Sequence, residues 1–201
     1  MKIVLARHGE TEFNRNRIIM GQQDSPLTPE GRDGVEALAR ALAGEGIEDI
    51  YASSLGRAAA SARIHGRLLG LPVNLRPELK ELAFGRWEGR PREELPEAAW
   101  PLRPSWDYRP PGGESYLDAE ARVGDLIQEL RSLGPDRTVL VIGHAAVNRV
   151  FVRLWLDLEP AKAGRVVCGH DKAYILEDGR VEWLSAGGQR GQGFLWEGEK
   201  A

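Results

Sequence analysis

The 201-residue chain predicts an α/β fold: three layers, with helices on both faces of a mostly parallel central sheet. Three observations predict it. Short apolar runs rich in β-branched residues recur along the chain. Stretches of helical periodicity separate them. No internal repeat or second compositional regime interrupts the alternation, so one domain is expected over residues 1–185.

Residues 2–7 read as the first, buried strand, closed by Gly9. Thr28-Pro29-Glu30 opens a helix, with Thr28 as N-cap and Pro29 at the first helical position. Val35, Leu38, Ala39 and Leu42 follow at helical spacing, and Gly44 and Gly46 end it. Residues 47–52 form a second strand. Ser54 is the candidate cap of a helix to about Leu69, closed by Gly70 and Pro72, with His65 expected on its surface. Residues 73–75 give a short third strand. An irregular insertion at about 76–113 is rich in Pro, Gly, Trp and Arg, with one short helical stretch near 92–98. Loops of this length in compact domains are usually functional.

Residues 115–133 read as an amphipathic helix, with Leu117, Ala121, Leu126 and Leu130 as candidate core positions. Residues 138–142 are the clearest strand; Gly143-His144 ends it and a helix continues over 145–156. Asp178-Gly179 between two alternating runs signals a hairpin over 172–184. The Gly-rich 186–201 segment reads as a mobile tail.

Composition excludes several classes. With 42% apolar and 28% charged residues, the chain reads as an ordinary soluble globular protein. The net charge of −3 is not that of a nucleic-acid binder. One cysteine permits no internal disulfide, which suits a reducing compartment. No apolar run approaches the ~20 residues that span a bilayer, and the N-terminus lacks the pattern of a signal peptide. A cytoplasmic protein is expected. Arginine supplies most of the 27 basic residues, so only position gives any single arginine meaning.

In parallel sheets ligands bind at the carboxyl ends of the strands. His8 stands just past the first strand and His144 just past the clearest one. If those strands are neighbours, both imidazoles share one rim. Arg7 adjoins His8, and Arg57 lies in the first turn of the helix after the second strand. Guanidiniums, imidazoles and helix N-termini on one rim suit a dianion such as phosphate. A neutral imidazole there is also a nucleophile toward phosphorus. The leaving alkoxide then needs a carboxylic acid opposite; Glu10, Glu12, Glu81 and Glu88 are all candidates. His170 near Cys168 suggests a metal pair, but no third ligand has suitable spacing, so no metal or cofactor is expected.

Leu5-Ala6-Arg7-His8-Gly9-Glu10-Thr11 with Asn14 resembles the signature of the histidine phosphatase superfamily, phosphoglycerate mutase-like branch. Further matches follow in order: Gly21 and Asp24, Ser53 to Ala62, Glu81-Leu82, 84–89, 111–115 and 139–144, together covering about residues 1–155. The resemblance implies a phosphoglycerate mutase-like fold with His8 as the phosphorylated nucleophile. It implies phosphate binding by Arg7, Asn14, Arg57, His144 and a backbone N–H of Ala145, and it places Glu81 as general acid. Ala145 departs from the usual glycine, and Ser61 from the usual threonine.

The text of 84–89 resembles α-ribazole and broad-specificity phosphatases. A metal-independent phosphomonoesterase is therefore expected, acting on a small-molecule phosphate ester, with no nucleic-acid or membrane partner and a homodimer allowed. A phosphoglycerate mutase is the alternative, and turnover with and without 2,3-bisphosphoglycerate discriminates the two. A phospho-ligand binding module would predict loss of His8 or Glu81. In the insertion, Trp87, Trp100, Trp106 and Tyr108 either pack the loop onto the sheet or contact the ligand, and in the second case its tryptophans favour an apolar or ring-bearing leaving group. Arg86, Arg90, Arg103 and Arg109 would instead favour a second anion.

Overall fold

The structure is a computed structural model that describes residues 1–95 and 105–197. Seven strands form one sheet in the order β3-β2-β4-β1-β5-β6-β7. β1 (Lys2–Arg7), β2 (Asp49–Ser53), β3 (Val73–Arg76) and β4 (Thr138–Gly143) pair in parallel. β5 (Lys172–Glu177), β6 (Arg180–Ser185) and β7 (Arg190–Gln192) extend the β1 edge in antiparallel fashion. The sheet is therefore mixed rather than mostly parallel. The parallel half carries the crossover helices, and short turns link the antiparallel half.

Side chains alternate across β1 and β4. Ile3, Leu5, Val139 and Val141 enter one core with α4 (Tyr116–Ser132) and α5 (Ala145–Leu156). Val4, Ala6, Leu140 and Ile142 enter the other, with α2 (Pro29–Ala41) and α3 (Gly56–Leu69). Every residue of β4 is buried, because helices cover both of its faces. Two single-turn helices, α1 (Glu12–Arg15) and α6 (Pro160–Ala163), complete the set among the described residues. No described helix is long and apolar enough to cross a membrane.

The expected caps of α2 and α4 form. Thr28 accepts from Gly31 N at 2.9 Å, and Ser115 makes a reciprocal capping box with Asp118. Ser54 does not cap α3. Leu55 holds that position, and Asp24 Oδ1, from outside the helix, accepts the Arg57 N–H at 3.1 Å. His65 is buried rather than on the surface, because it continues the inward Ala58–Ser61–Ala62 stripe of α3; burial pulls its pKa down to about 4. In α4, Leu126 and Leu130 are buried, but Leu117 is 55% exposed and Ala121 also faces solvent. At ~100° per residue, five and nine positions before Leu126 fall on the far side. The inward stripe is instead Tyr116, Ala119, Val123, Leu126, Ile127 and Leu130.

The insertion contains three 3-10 turns, Pro77–Leu79, Gly85–Trp87 and Arg92–Glu94; residues 96–98 of the expected helix lie outside the described residues. Residues 186–197 do not stand off the domain as a tail, and 198–201 lie outside the described residues. β7 pairs with β6, Trp196 bridges Val166, and Phe194 and Trp196 pack on the core. These two partly buried aromatic contacts, with the β7 pairing, offset the freedom its glycines supply.

Substituting a buried leucine of α4 should cost far more than substituting one on its outer face. Leu126→Ala should lose about 2–5 kcal/mol of unfolding free energy, and Leu117→Ala within about 0.5 kcal/mol of none. Urea unfolding of both variants checks this; equal losses would refute the placement of the stripe.

Candidate active site

β1 and β4 pair with Arg7 opposite Gly143, so the residues leaving the two strands emerge side by side. His8 N donates to Gly143 O at 3.1 Å, and the rings of His8 and His144 are 5.0 Å apart. A cleft of about 390 Å³ opens at this rim. Arg7, His8, Asn14, Arg57, Glu81 and Ala145 line it; His144 is fully buried behind the wall.

Hydrogen bonds set the His8 tautomer. Nδ1 lies 2.7 Å from Gly9 O, which can only accept, so Nδ1 carries the proton. Nε2 keeps its lone pair and receives Arg57 Nε at 3.3 Å. Burial, then the nearby His144, Arg7, Arg57 and His170, hold the His8 pKa well below the ordinary histidine value. His8 is therefore a neutral imidazole with Nε2 as its basic atom.

Arg57 is almost fully buried. Its guanidinium also donates to Gly21 O (2.8 Å), Gln23 O (2.7 Å) and Asp24 Oδ1 (3.4 Å). These bonds fix a long side chain in one orientation. Arg7 donates to Cys168 O at 3.1 Å, while its Nε is buried without a partner among the described residues. Burial lowers its pKa to about 10, which leaves it charged at neutral pH. His144 Nε2 meets Ser53 Oγ at 2.8 Å, and its Nδ1 is likewise unpartnered. Burial first, and then Arg57 and Arg7, keep His144 neutral.

The structure separates the four candidate carboxylates. Glu10 bonds Thr28 Oγ1 and Arg15, Glu88 takes the Gln22 and Phe84 N–H groups, and Glu12 sits in the first turn of α1. Only Glu81 of the four lines the cleft. Its Oε1 accepts from Leu82 N and Val147 N at 3.1 Å each, and its Oε2 from Ala146 N at 3.2 Å. The carboxyl group thus sits at the N-terminus of α5, bonded to N–H groups that the helix leaves free. Asn14 Oδ1 accepts from Thr11 N and Thr11 Oγ1, capping α1 and leaving its amide NH2 as the donor end at the cleft.

Several residues in or behind the cleft were given no role from sequence, although Ser53 and Ser61 stand in the matched stretch 53–62. Ser53 was reachable, since it ends β2 on the same rim. Ser61, which accepts Gly9 N at 3.0 Å, and Arg149, one turn after Ala145, lie on helix faces that only packing reveals. His170 and Glu197 come from the antiparallel half. His170 Nδ1 donates to His8 O at 2.6 Å, and its ring lies edge-on to His8; burial lowers its pKa to about 3. Glu197 reaches the cleft and pairs with Arg149. No group of three potential metal ligands exists among the described residues.

In the insertion the described aromatic residues follow the packing reading and not the ligand-contacting one. Trp87 packs with Ile19 and Leu95 and stacks on Tyr108, and Trp106 stacks on Tyr116 at 4.4 Å and bonds Glu120. None of these three lines the cleft; they pin the insertion to the domain. Arg86, Arg90 and Arg109 are exposed and also miss it, with Arg90 and Arg109 paired to Glu94 and Asp118. Trp100 and Arg103 lie outside the described residues.

The chain is 35% identical over 192 residues to an Enterobacter sp. protein named Probable phosphoglycerate mutase GpmB, covering 93% of this chain and 89% of that one. It is similar to a mycobacterial glucosyl-3-phosphoglycerate phosphatase solved with VO3, at TM-score 0.78 and 26% identity, covering 97% and 98% of the two chains. It is also similar to an Escherichia coli structure named for alpha-ribazole-5'-P phosphatase, at TM-score 0.76 and 26% identity, covering 98% and 96%. The model of the histidine phosphatase superfamily (branch 1) matches residues 3–184, and the chain belongs to that superfamily.

Proposed function

We propose that the chain is a phosphomonoesterase that passes the phosphoryl group of a small-molecule ester through His8 to water. The His8 tautomer carries this reading: a buried, neutral imidazole with Nδ1 locked to Gly9 O and Nε2 aimed among guanidiniums. The solved relatives named as phosphatases support it.

The phosphoryl oxygens take the Arg7 and Arg57 forks, the Asn14 amide and the Ala145 N–H. The unpartnered Arg7 Nε and His144 Nδ1 are donors suited to the same oxygens, the latter when Nε2 accepts from the Ser53 hydroxyl. Two guanidiniums supply the positive charge the transition state needs, so the reaction is metal-independent. His8 Nε2 attacks phosphorus as the P–O bond to the leaving alcohol breaks. The Glu81 carboxyl gives that oxygen its proton. Oε2, which receives one backbone N–H against two on Oε1, is the oxygen placed to carry it. Water then attacks the phosphohistidine, Glu81 takes its proton, and the N–P bond breaks to release phosphate.

A second reading, phosphoryl transfer between positions of phosphoglycerate, rests on the relative named as a mutase. The first half-reaction is shared. Phosphate release that does not depend on 2,3-bisphosphoglycerate favours the phosphatase.

His8→Ala should remove nearly all turnover, and alkaline quenching of the wild type should trap an acid-labile phosphoenzyme. A variant retaining a tenth of the activity would sink the mechanism.

Arg57→Lys should lower kcat/KM by on the order of 10²-fold, or ~2.7 kcal/mol, because an ammonium cannot replace a fork that spans His8 and two carbonyls. Near-wild-type kinetics would count against the pocket.

Glu81→Gln should slow hydrolysis of alkyl phosphates by on the order of 10²–10⁴-fold and of nitrophenyl phosphate much less, since nitrophenolate leaves without a proton. Equal losses on both would make Glu81 a positioning group.

A further inference from the structure

We propose that Arg122, together with Glu114, is a positioning residue that holds the Glu81 carboxyl where the leaving oxygen would meet it. The kinetic part of this proposal rests on the phosphatase reading; the structural part does not.

Glu81 stands on a stretch that no sheet supports. It lies beyond β3, between the 3-10 turns Pro77–Leu79 and Gly85–Trp87. Its carboxyl reaches the first N–H groups of α5 only if that stretch keeps its place. A misplacement of about 1 Å in a catalytic group costs on the order of 10²-fold in rate, so something must fix the backbone on both sides of Glu81.

Arg122 of α4 does this from outside the cleft. Its Nη1 donates to Glu78 O at 2.6 Å and to Lys80 O at 2.7 Å. Its Nη2 donates to Glu114 Oε2 at 3.4 Å. Glu114 Oε2 in turn accepts Ala83 N at 2.8 Å, and Glu114 N donates to Ala83 O at 2.8 Å. One ion pair therefore grips the carbonyls that precede Glu81 and, through Glu114, both backbone groups of the residue two positions after it. Gly113 permits the close approach, since a Cβ there would lie 2.4 Å from Ala83 O. Gln22 Nε2 closes the bracket, donating to Glu81 O at 3.1 Å and to Glu114 Oε2 at 3.3 Å.

The grip is strong because bonds from a guanidinium or to a carboxylate are charge-assisted. It is also rigidly mounted. Glu114 directly precedes the Ser115–Asp118 capping box, and Arg122 adjoins Val123 of the buried stripe of α4. Neither Arg122 nor Glu114 lines the cleft, so both act through Glu81 rather than on substrate.

The first measurement needs no turnover. Amide exchange is followed by NMR in the wild type and in Arg122→Met, which keeps the length of the side chain and loses its donors. Exchange at Ala146 and Val147, whose N–H groups bond Glu81, should speed up about tenfold or more relative to Asn148, whose N–H bonds His144 O within the helix. Arg122→Lys keeps the charge that helps lower the His144 pKa but loses the fork. It should shift exchange in the same direction by about threefold or more, and it decides the matter if Arg122→Met does not fold. The second measurement is the ratio of kcat/KM for glycerol 3-phosphate to that for nitrophenyl phosphate, which does not depend on how much of a preparation is folded. Arg122→Met should lower this ratio about tenfold or more, because only the alkoxide needs the acid. In a Glu81→Gln background the same substitution should leave the ratio unchanged, since no acid remains to be positioned. Unchanged exchange at 146 and 147, an unchanged ratio, or a ratio that falls equally in both backgrounds overturns the proposal. Absence of wild-type turnover on both esters would refute the phosphatase reading, while the exchange measurement would still decide the positioning.

Discussion

Everything at this site depends on how much positive charge is buried there. Arg7 and Arg57 lie within or against the wall of the cleft, and both lose basicity to burial. A guanidinium keeps its proton under that penalty, but an imidazole does not. His8 and His144 are therefore the groups that yield: each is held neutral by burial and by the guanidiniums. Neutrality is the state a histidine nucleophile requires. The same pair of arginines that would bind phosphate thus also sets the protonation state of the atom that would attack it.

Backbone carbonyls make this burial tolerable. Gly21 O and Gln23 O hold Arg57, Cys168 O holds Arg7, and Gly9 O and His8 O take the protons of His8 and His170. A carbonyl neutralises no charge but satisfies a donor, so the pocket stays electropositive without leaving its donors orphaned. Among the described residues, two nitrogens of the site, Arg7 Nε and His144 Nδ1, remain unpartnered, and both belong to residues that would bind the anion. Glycine is required where the loop after β1 meets α2: a Cβ on Gly31 would lie 2.2 Å from Glu10 O.

Much of this was legible in the residues. The strand-end rule placed His8 and His144 on one rim, and the parallel pairing of β1 and β4, far apart in sequence, brings them together. The position of Arg57 followed from the helix after β2, although its cap, Asp24, comes from another segment and displaced the expected Ser54. The helical face of α4 was misassigned because Leu117 is apolar and helical but lies opposite the stripe that Leu126 begins. The last strand was hidden by its glycines, since β7 is held by pairing with β6 rather than by its own propensity. His170 and Glu197 reach the site only through that antiparallel half, and no local pattern announces a contact across 162 residues.

The insertion shows how composition misleads where topology decides. Its tryptophans are the residues most suggestive of a ligand, yet Trp87 and Trp106 spend their surfaces on Ile19, Tyr108 and Tyr116. That packing has a consequence for the cleft. Anchoring Trp87 against Ile19 brings 89–92 alongside 17–19, where Gly89 N donates to Ile19 O at 2.8 Å. The ribbon so formed makes one wall of the cleft, with Phe84 and Tyr116 as aromatic members of the lining. The aromatic residues of the insertion therefore act on the cleft at one remove. They hold the ribbon in register, and the register determines which side chains line the cleft. A one-residue slip would turn Arg92 away and present its neighbour's side chain instead.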